Sequence, residues 1–289
     1  MPDLHAAVRA FVEQTVRPQV EAWDRADDLP DAVLRELVGL GVTGALVPRA
    51  HGGGGLGMAE LAPVWRTLSH GWISLTGAIN PTGLATTLLV RQGTEAQRER
   101  WLPPIARGEL LASFSITEPQ AGSDLGRIET AAAPRAGGGL VLDGEKRWVA
   151  GGVSCDVIFL LAEIDGAPSC VVLPAEGRGG EGWEVGELDK VGYRGVESAT
   201  YRFHSLQAPD AEVLGDAPGE GARQMLDALD VGRVNVACRG LGILDRCLAC
   251  AVEESTTRTV GDGLLGEHTH AQLRLGELVV RQAAVEALV

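Results

Sequence analysis

The hydrophobic period of this chain changes twice, and few folds accommodate both changes. From residue 3 to about residue 110 apolar residues recur at helical spacing: Leu4, Val8, Phe11 and Val12 share one face, Val33, Leu34, Leu37 and Leu40 another, and Leu61, Val64, Trp65 and Leu68 a third. At Ala112 the period drops to two. Ala112, Phe114 and Ile116 alternate with Ser113 and Ser115, and short β-rich runs follow (LVLDGEKRWVAG, DVIFLLAEI, SCVVLPAE, WEVGELDKVG, SATYRFHSL), separated by Gly, Pro and Asp. After Pro209 and a turn at Leu214-Gly215 the helical spacing returns through Met225, Leu229, Val236 and Leu241, and again through Leu273, Leu275, Leu278 and Val279. The pattern predicts an α+β chain in three parts: an N-terminal all-α domain (1–110), a middle antiparallel, barrel-like β domain (111–213) and a C-terminal helical domain (214–289). The last part reads as incomplete, because a helix still apolar at VEALV needs another element to pack against.

Local signals place the elements. Asp3 is a candidate N-cap for the first helix, Thr94-Glu-Ala-Gln97 reads as a capping box, and Asn80-Pro81 reads as the opening of a helix running to Val90. DGE (143–145) and DGA (165–167) read as hairpin turns, since Gly supplies positive φ.

Composition narrows the function. The 289 residues are 45% hydrophobic, enough for well-filled cores, and Lys+Arg 25 against Asp+Glu 39 gives a net charge of −14 with no basic face. Nucleic acid and anionic membrane are therefore excluded as partners, because a polyphosphate surface would meet net repulsion. No run approaches the roughly 20 apolar residues of a membrane span, and the N-terminus lacks the apolar core of a signal peptide. Five scattered cysteines read as free thiols of a cytoplasmic protein. Cys247-Leu-Ala-Cys250 lies on an apolar-faced helix without a preceding strand; it reads as two small buried core residues or as a redox or zinc site, and no metal site is assigned.

Two stretches invite a nucleotide reading. HGGGGLG (51–57) contains a formal GxGxxG, but Pro48 breaks any strand before it and no βαβ unit surrounds it, so its glycines read as turn formers. The sharper stretch is Ser115-Ile-Thr-Glu-Pro-Gln-Ala-Gly-Ser-Asp124, where Thr117, Gly122 and Ser123 offer hydroxyls and accessible backbone amides in one bend held by Pro119. Such a bend suits a planar heteroaromatic ring with a pyrophosphate nearby, or it is simply a tight turn. The carboxylates around it, Glu118, Asp124 and Glu197, read as surface or turn residues.

With those residues in view the chain resembles the acyl-CoA dehydrogenase family. The family's [AS]-x-T-E-P-x-A-G-S-D stretch is matched at 115–124, its G-x-K-x-W stretch by Gly144 to Trp148, its K-x-G-x-R-G by Lys190 to Gly195, and its P-x-x-x-x-L-G is approximated by Pro209 to Gly215. HGGGGLG matches a family connection between N-terminal helices, with His51 in place of Tyr. The resemblance covers nearly the whole chain and implies FAD as cofactor. Phe114, Ile116, Thr117, Gly122 and Ser123 would line the flavin, with Trp148, Val149 and Ala150 at its reactive edge. Arg258, His268 and Thr269 match positions that reach the FAD of a neighbouring subunit, which implies a homodimer or homotetramer, or a hetero-oligomer. Ser123, Asp230 and Arg233 fall where the family contacts an acyl-CoA or carrier-bound acyl thioester; without the family, Arg233 reads as half of a helix-surface salt bridge.

The family reaction removes the α-proton of a thioester with a carboxylate while the β-hydride goes to the flavin, and the electrons pass to an electron-transferring flavoprotein. The family's usual catalytic Glu has no counterpart here, the alternative position used by some members is Gly232, and the Thr expected after W-[IV] is Ala150. The catalytic residue is thus unassigned. Three readings follow: an FAD-dependent acyl-CoA dehydrogenase, a non-catalytic or half-site subunit completed by a partner chain, and a flavin monooxygenase or oxidase on the same fold.

Overall fold

The computed structural model describes residues 3–289. Six helices open the chain: α1 (Leu4–Phe11), continued by a π-helical turn (Val12–Val16), α2 (Val20–Ala26), α3 (Asp31–Gly39), α4 (Met58–Gly71), α5 (Ile73–Gln92) and α6 (Glu95–Ala106). Asp3 caps α1 as expected, accepting from the His5 and Ala6 amides. Thr94 and Gln97 close a reciprocal capping box on α6. Gln97 is buried, and its amide also donates to the Val213 carbonyl and accepts from the Gly215 amide, so one side chain ties a helix start to the end of the sheet.

Pro81 does not open a helix; it lies inside α5. The ring would ordinarily break the ladder, but α5 is buried on both flanks between the sheet and the C-terminal helix, and packing holds the geometry that local preference opposes. α5 is long and apolar enough to pass as a membrane span by composition, yet 72% of its apolar window is buried in the fold, so it is a core helix. The HGGGGLG connection between α3 and α4 is backbone packed on backbone: the Gly54, Gly55 and Leu56 amides donate to the carbonyls of Gly44, Val47 and Ala45. A Cβ on Gly53 would stand 2.2 Å from the Val47 carbonyl oxygen, so the glycines serve close approach and positive φ, as the sequence suggested.

Eight strands form one sheet: β1 (Ala112–Ser115), β2 (Ala131–Pro134), β3 (Leu140–Ala150), β4 (Val157–Ile164), β5 (Ala167–Pro174), β6 (Trp183–Glu187), β7 (Ser198–Ala208) and β8 (Glu212–Val213). The order is β6-β7-β3-β2-β4-β5-β8, with β1 also on β4. This corrects the expected antiparallel barrel on two points. β1 and β2 both run parallel to β4, so the sheet is mixed, and its ends at β6 and β8 do not pair, so no barrel closes among the described residues. The cause is the long excursion 116–130, which is too long for a hairpin and returns the chain in the same direction. β1 and β2 lie end to end along one edge of β4, Ser115 opposite Leu160 and Ala131 opposite Glu163.

DGA makes the expected hairpin, with Asp165 at φ 51° and Gly166 at φ 80°. DGE does not turn at all: β3 runs through it, and the register merely shifts between Leu142 and Gly144. Gly144 is needed for proximity, since a Cβ there would sit 2.6 Å from the Thr130 Cα. The run VIFLLA is apolar without alternation because both faces of β4 are covered. Val157, Phe159 and Leu161 face the helices, while Ile158, Leu160 and Ala162 share a second core with Trp183, Tyr201 and Phe203.

The C-terminal region holds α7 (Gly221–Thr257), a hairpin of β9 (Thr259–Val260) and β10 (Gly263–Leu264), and α8 (Thr269–Glu286). α7 packs its first turns into the sheet-side core through Met225 and Ala228 and its middle into the N-terminal helices through Val231 and Cys238. α8 buries none of its residues. Cys247 and Cys250 are exposed rather than buried in a core.

Candidate functional site

The excursion 116–130 leaves the sheet between β1 and β2, and Glu118 holds it there. Its carboxylate accepts from the Glu129 amide (2.7 Å), the Thr130 amide (3.1 Å), the Gln120 side chain (2.7 Å) and Lys146 Nζ (2.6 Å). Lys146 also donates to the Ile116 carbonyl (3.1 Å), so both ends of the bend are fixed from β3. Glu118 and Lys146 are fully withdrawn from solvent, which overturns a surface role for Glu118, while its backbone does open a turn, exchanging hydrogen bonds with Ala121. Burial alone would raise the Glu118 carboxyl, but the Lys146 charge and the hydrogen bonds outweigh it and hold the group below its ordinary range. Burial pushes the Lys146 ammonium down to about 8 against the pull of Glu118. Both groups are charged at neutral pH. Asp124 and Glu197 have the local roles expected, capping the Gly126 and Ser154 amides.

The second half of the site is a bulge in β3. Pairing with β7 slips between Lys146 and Val149, which places Lys146 and Val149 inward and turns Trp148 out. Trp148 has φ 59°, a conformation costly for a bulky side chain, and is 56% exposed. The Arg147 amide donates to the Thr117 carbonyl (2.8 Å) and Ser113 Oγ to the Ala150 carbonyl (2.8 Å), so bend and bulge form one continuous edge.

The structure gathers most of the expected cofactor residues on that edge. Thr117 is half-buried, Gly122 and Ser123 are exposed, and Phe114 and Ile116 are half-buried against the helical core. Val149 points into the second core and offers only its backbone to the edge; Ala150 is half-buried. Arg258, His268 and Thr269 are not brought to this edge. They are exposed around the α7–α8 connection, where Arg258 pairs with Glu254 and His268 Nε2 meets the Val260 carbonyl. Along α7 they lie about 45 Å from Ala228, beyond the reach of one cofactor in one chain. Asp230 and Arg233 are exposed on α7 and paired with each other.

A loop from 188 to 197 flanks the edge, because its end enters β7 opposite the end of β3, Ser198 against Ala150. Lys190 Nζ donates to the carbonyls of Tyr193 (3.2 Å) and Val196, and Asp27 receives the Gly195 amide (2.6 Å). Gly195 has φ 79° and would place a Cβ 2.4 Å from the Trp72 ring, which accounts for a glycine there. The Tyr193 hydroxyl accepts from Arg239 on α7. Sequence reasoning assigned no role to Lys146, Tyr193 or Arg239. Lys146 had a readable signal, a basic residue inside a β-rich run; the Tyr193–Arg239 contact joins residues 46 apart and had none.

The edge suits a flavin. It offers an exposed aromatic, a bend with accessible amides, and the buried Ser115 Oγ, which lacks a hydrogen-bond partner within the protein.

Comparison with known proteins agrees with the architecture. Three family models match: "Acyl-CoA dehydrogenase, N-terminal domain" over residues 3–109, "Acyl-CoA dehydrogenase, middle domain" over 113–206 and "Acyl-CoA dehydrogenase, C-terminal domain" over 219–289. Among curated relatives, (2S)-methylsuccinyl-CoA dehydrogenase of Cereibacter sphaeroides is 29% identical over 86% of this chain and 48% of its own length. Glutaryl-CoA dehydrogenase of Desulfococcus multivorans is 28% identical over 99% of this chain and 75% of its own. The chain thus spans about half of one relative and three quarters of the other. A glutaryl-CoA dehydrogenase from Mycobacterium smegmatis solved in complex with FADH2 superposes with a TM-score of 0.89 at 25% identity, covering 99% of this chain and 73% of that one. The class so defined is the FAD-dependent oxidoreductases acting on CH–CH groups. Within it, the chain belongs to the acyl-CoA dehydrogenase family.

Proposed function

We propose that this chain takes part in the α,β-dehydrogenation of an acyl thioester, carried by CoA or by a carrier protein, with FAD held along the edge formed by the 116–130 bend and the β3 bulge. The observation that carries the reading is Trp148: an exposed aromatic at positive φ, aimed outward by a bulge and tied through Arg147 to Thr117. FAD bound there would accept the hydride from the β-carbon. The chain's own residues bind and orient. The Gly122 and Ser123 amides and the Thr117 and Ser123 hydroxyls offer donors, Phe114 and Ile116 back the ring with apolar surface, and Glu118 with Lys146 keeps the bend rigid. Ser123, Asp230 and Arg233 are assigned to the thioester's CoA or carrier arm. Arg258, His268 and Thr269 are assigned to the cofactor of a neighbouring subunit, in a homodimer or homotetramer, and an electron-transferring flavoprotein is the proposed electron acceptor.

The α-proton needs a carboxylate base, and the carboxylates around this edge are engaged: Glu118 by Lys146, Asp124 by the Gly126 amide, Glu145 by Arg147 and Arg202, Glu197 by Ser154. A second reading, a non-catalytic or half-site subunit completed by a partner chain, is favoured by this and by an 18-residue α8 none of whose residues is fully buried. Anaerobic titration of the FAD-loaded protein with acyl-CoA thioesters of several lengths tests the main reading. Bleaching of the visible flavin band supports it. A flavin that no thioester bleaches, alone or with a co-purifying chain, sinks it.

A further inference from the structure

Arg239 is a half-buried cation whose contacts are all neutral. Its Nε donates to Asn235 Oδ1 (2.5 Å), its Nη1 to the Tyr193 hydroxyl, and the guanidinium lies 5.8 Å from the centre of the Tyr193 ring. The Tyr193 phenol is the one titratable group acting on it; no carboxylate does, among the described residues. Burying a cation without an anion is costly, and neutral acceptors recover only part of the cost. Burial accordingly lowers the pKa of Arg239, against the arginines on the surface that find acidic partners.

The position of this charge is informative. Arg239 lies about 9 Å along α7 from Arg233, the residue assigned above to the CoA or carrier arm. Val236, about one turn from each, is 58% exposed although apolar, while Gly232 and Asn235 beside it are buried. Tyr193 belongs to the loop whose end enters β7 opposite Ala150, so Arg239 is bonded to the loop that flanks the bend-and-bulge edge. Asn235 is fully buried, and with Tyr193 it fixes where the guanidinium points.

We propose that Arg239 receives a carboxylate at the far end of the acyl group, so that the preferred substrates are short thioesters of dicarboxylic acids, with Tyr193 and Asn235 as positioning residues. The assignment rests on the acyl-thioester reading above and adds a substrate class to it. A methyl-ended acyl group of the same length would leave the guanidinium unpaired beside apolar atoms, and this penalty, rather than attraction alone, makes the site selective.

The test compares two thioesters of equal carbon number, glutaryl-CoA and pentanoyl-CoA, by anaerobic calorimetric titration of the FAD-loaded protein. The expected result is a preference for glutaryl-CoA of about tenfold or more, the size of one charge-assisted hydrogen bond. The ratio should collapse towards one in Arg239→Met and survive in part in Arg239→Lys, with melting temperatures recorded for both. A ratio near one in the unaltered protein, or a ratio that Arg239→Met leaves intact, overturns the assignment while leaving the thioester reading in place. Binding of neither compound overturns both. Should Arg239→Met fail to fold, the unaltered ratio and Arg239→Lys decide: an undiminished ratio in the lysine variant would count against a role for the forked guanidinium.

Discussion

Glu118 and Lys146 meet inside the protein, Oε1 to Nζ 2.6 Å, with 1% and 0% of their side chains exposed. A buried pair of this kind adds little net stability, because desolvation offsets the attraction. Its effect here is positional. Glu118 gathers two amides from the far end of the excursion, Lys146 holds a carbonyl from its near end, and Arg147, next in the chain, is bonded to Thr117.

Removing one partner leaves the other charged, buried and alone. Glu118→Gln and Lys146→Met should each lower unfolding stability by about 3–5 kcal/mol, read from denaturant curves. The double variant Glu118→Leu/Lys146→Met should regain much of that loss, since no charge is stranded. Its FAD affinity should stay low, because the bend loses its anchor. Recovery of FAD binding in the double variant would show that the pair serves stability alone.

The same pair sets an acid limit. The Glu118 carboxyl lies below its ordinary 4.5 in the folded protein, so between the two values the unfolded chain binds more protons and stability rises with pH. The contribution is complete above the unfolded value and is lost as pH falls through the folded one. Unfolding stability measured on the acid side of 4.5 should therefore decline more steeply in the unaltered protein than in Glu118→Gln. Parallel slopes would refute the assignment.

Much of the architecture is legible in the sequence because it rests on periodicity and caps. The switch at Ala112, the Asp3 and Thr94 caps and the Asp165-Gly166 hairpin are local facts that tertiary packing left standing. The misreadings share one cause, a local signal overruled from a distance. Pro81 continues a helix because α5 is enclosed on both flanks, and Gly144 sits within a strand because Thr130 needs the space. Glu118 reads as a surface residue until Lys146, 28 residues on, is seen beside it. The mixed sheet was hidden for a related reason, since nothing in residues 112–134 shows that β1 and β2 share one edge of β4.

Glycines on α7 divide by what surrounds them. A Cβ on Gly242 would lie 2.4 Å from the Arg66 carbonyl oxygen and 2.8 Å from Ser69 Cβ, so α4 and α7 touch through that position. Gly242→Ala should cost about 1–3 kcal/mol through forced separation of the two helices. Gly240, two residues earlier, is exposed and would meet nothing within 4 Å. Gly240→Ala should stabilise by about 0.5–1 kcal/mol through helix propensity alone. Thermal melts of the pair check both signs; equal shifts would contradict the α4–α7 contact.

Trp148 gives a case in which stability and binding should separate. At φ 59° a tryptophan carries backbone strain of about 1–3 kcal/mol, and at 56% exposure its ring returns little of that in burial. Trp148→Gly removes the side chain and tolerates the same φ, so the folded protein should be as stable or more stable. If the ring packs on bound FAD, the same change should weaken FAD about tenfold, the scale of one aromatic contact. Fluorescence titration with FAD alongside a thermal melt reads both quantities. A variant that gains stability and keeps full FAD affinity would mean that the bulge aims Trp148 at something other than the flavin, a subunit interface for instance, and the cofactor edge would have to be redrawn around Thr117 and Ser123.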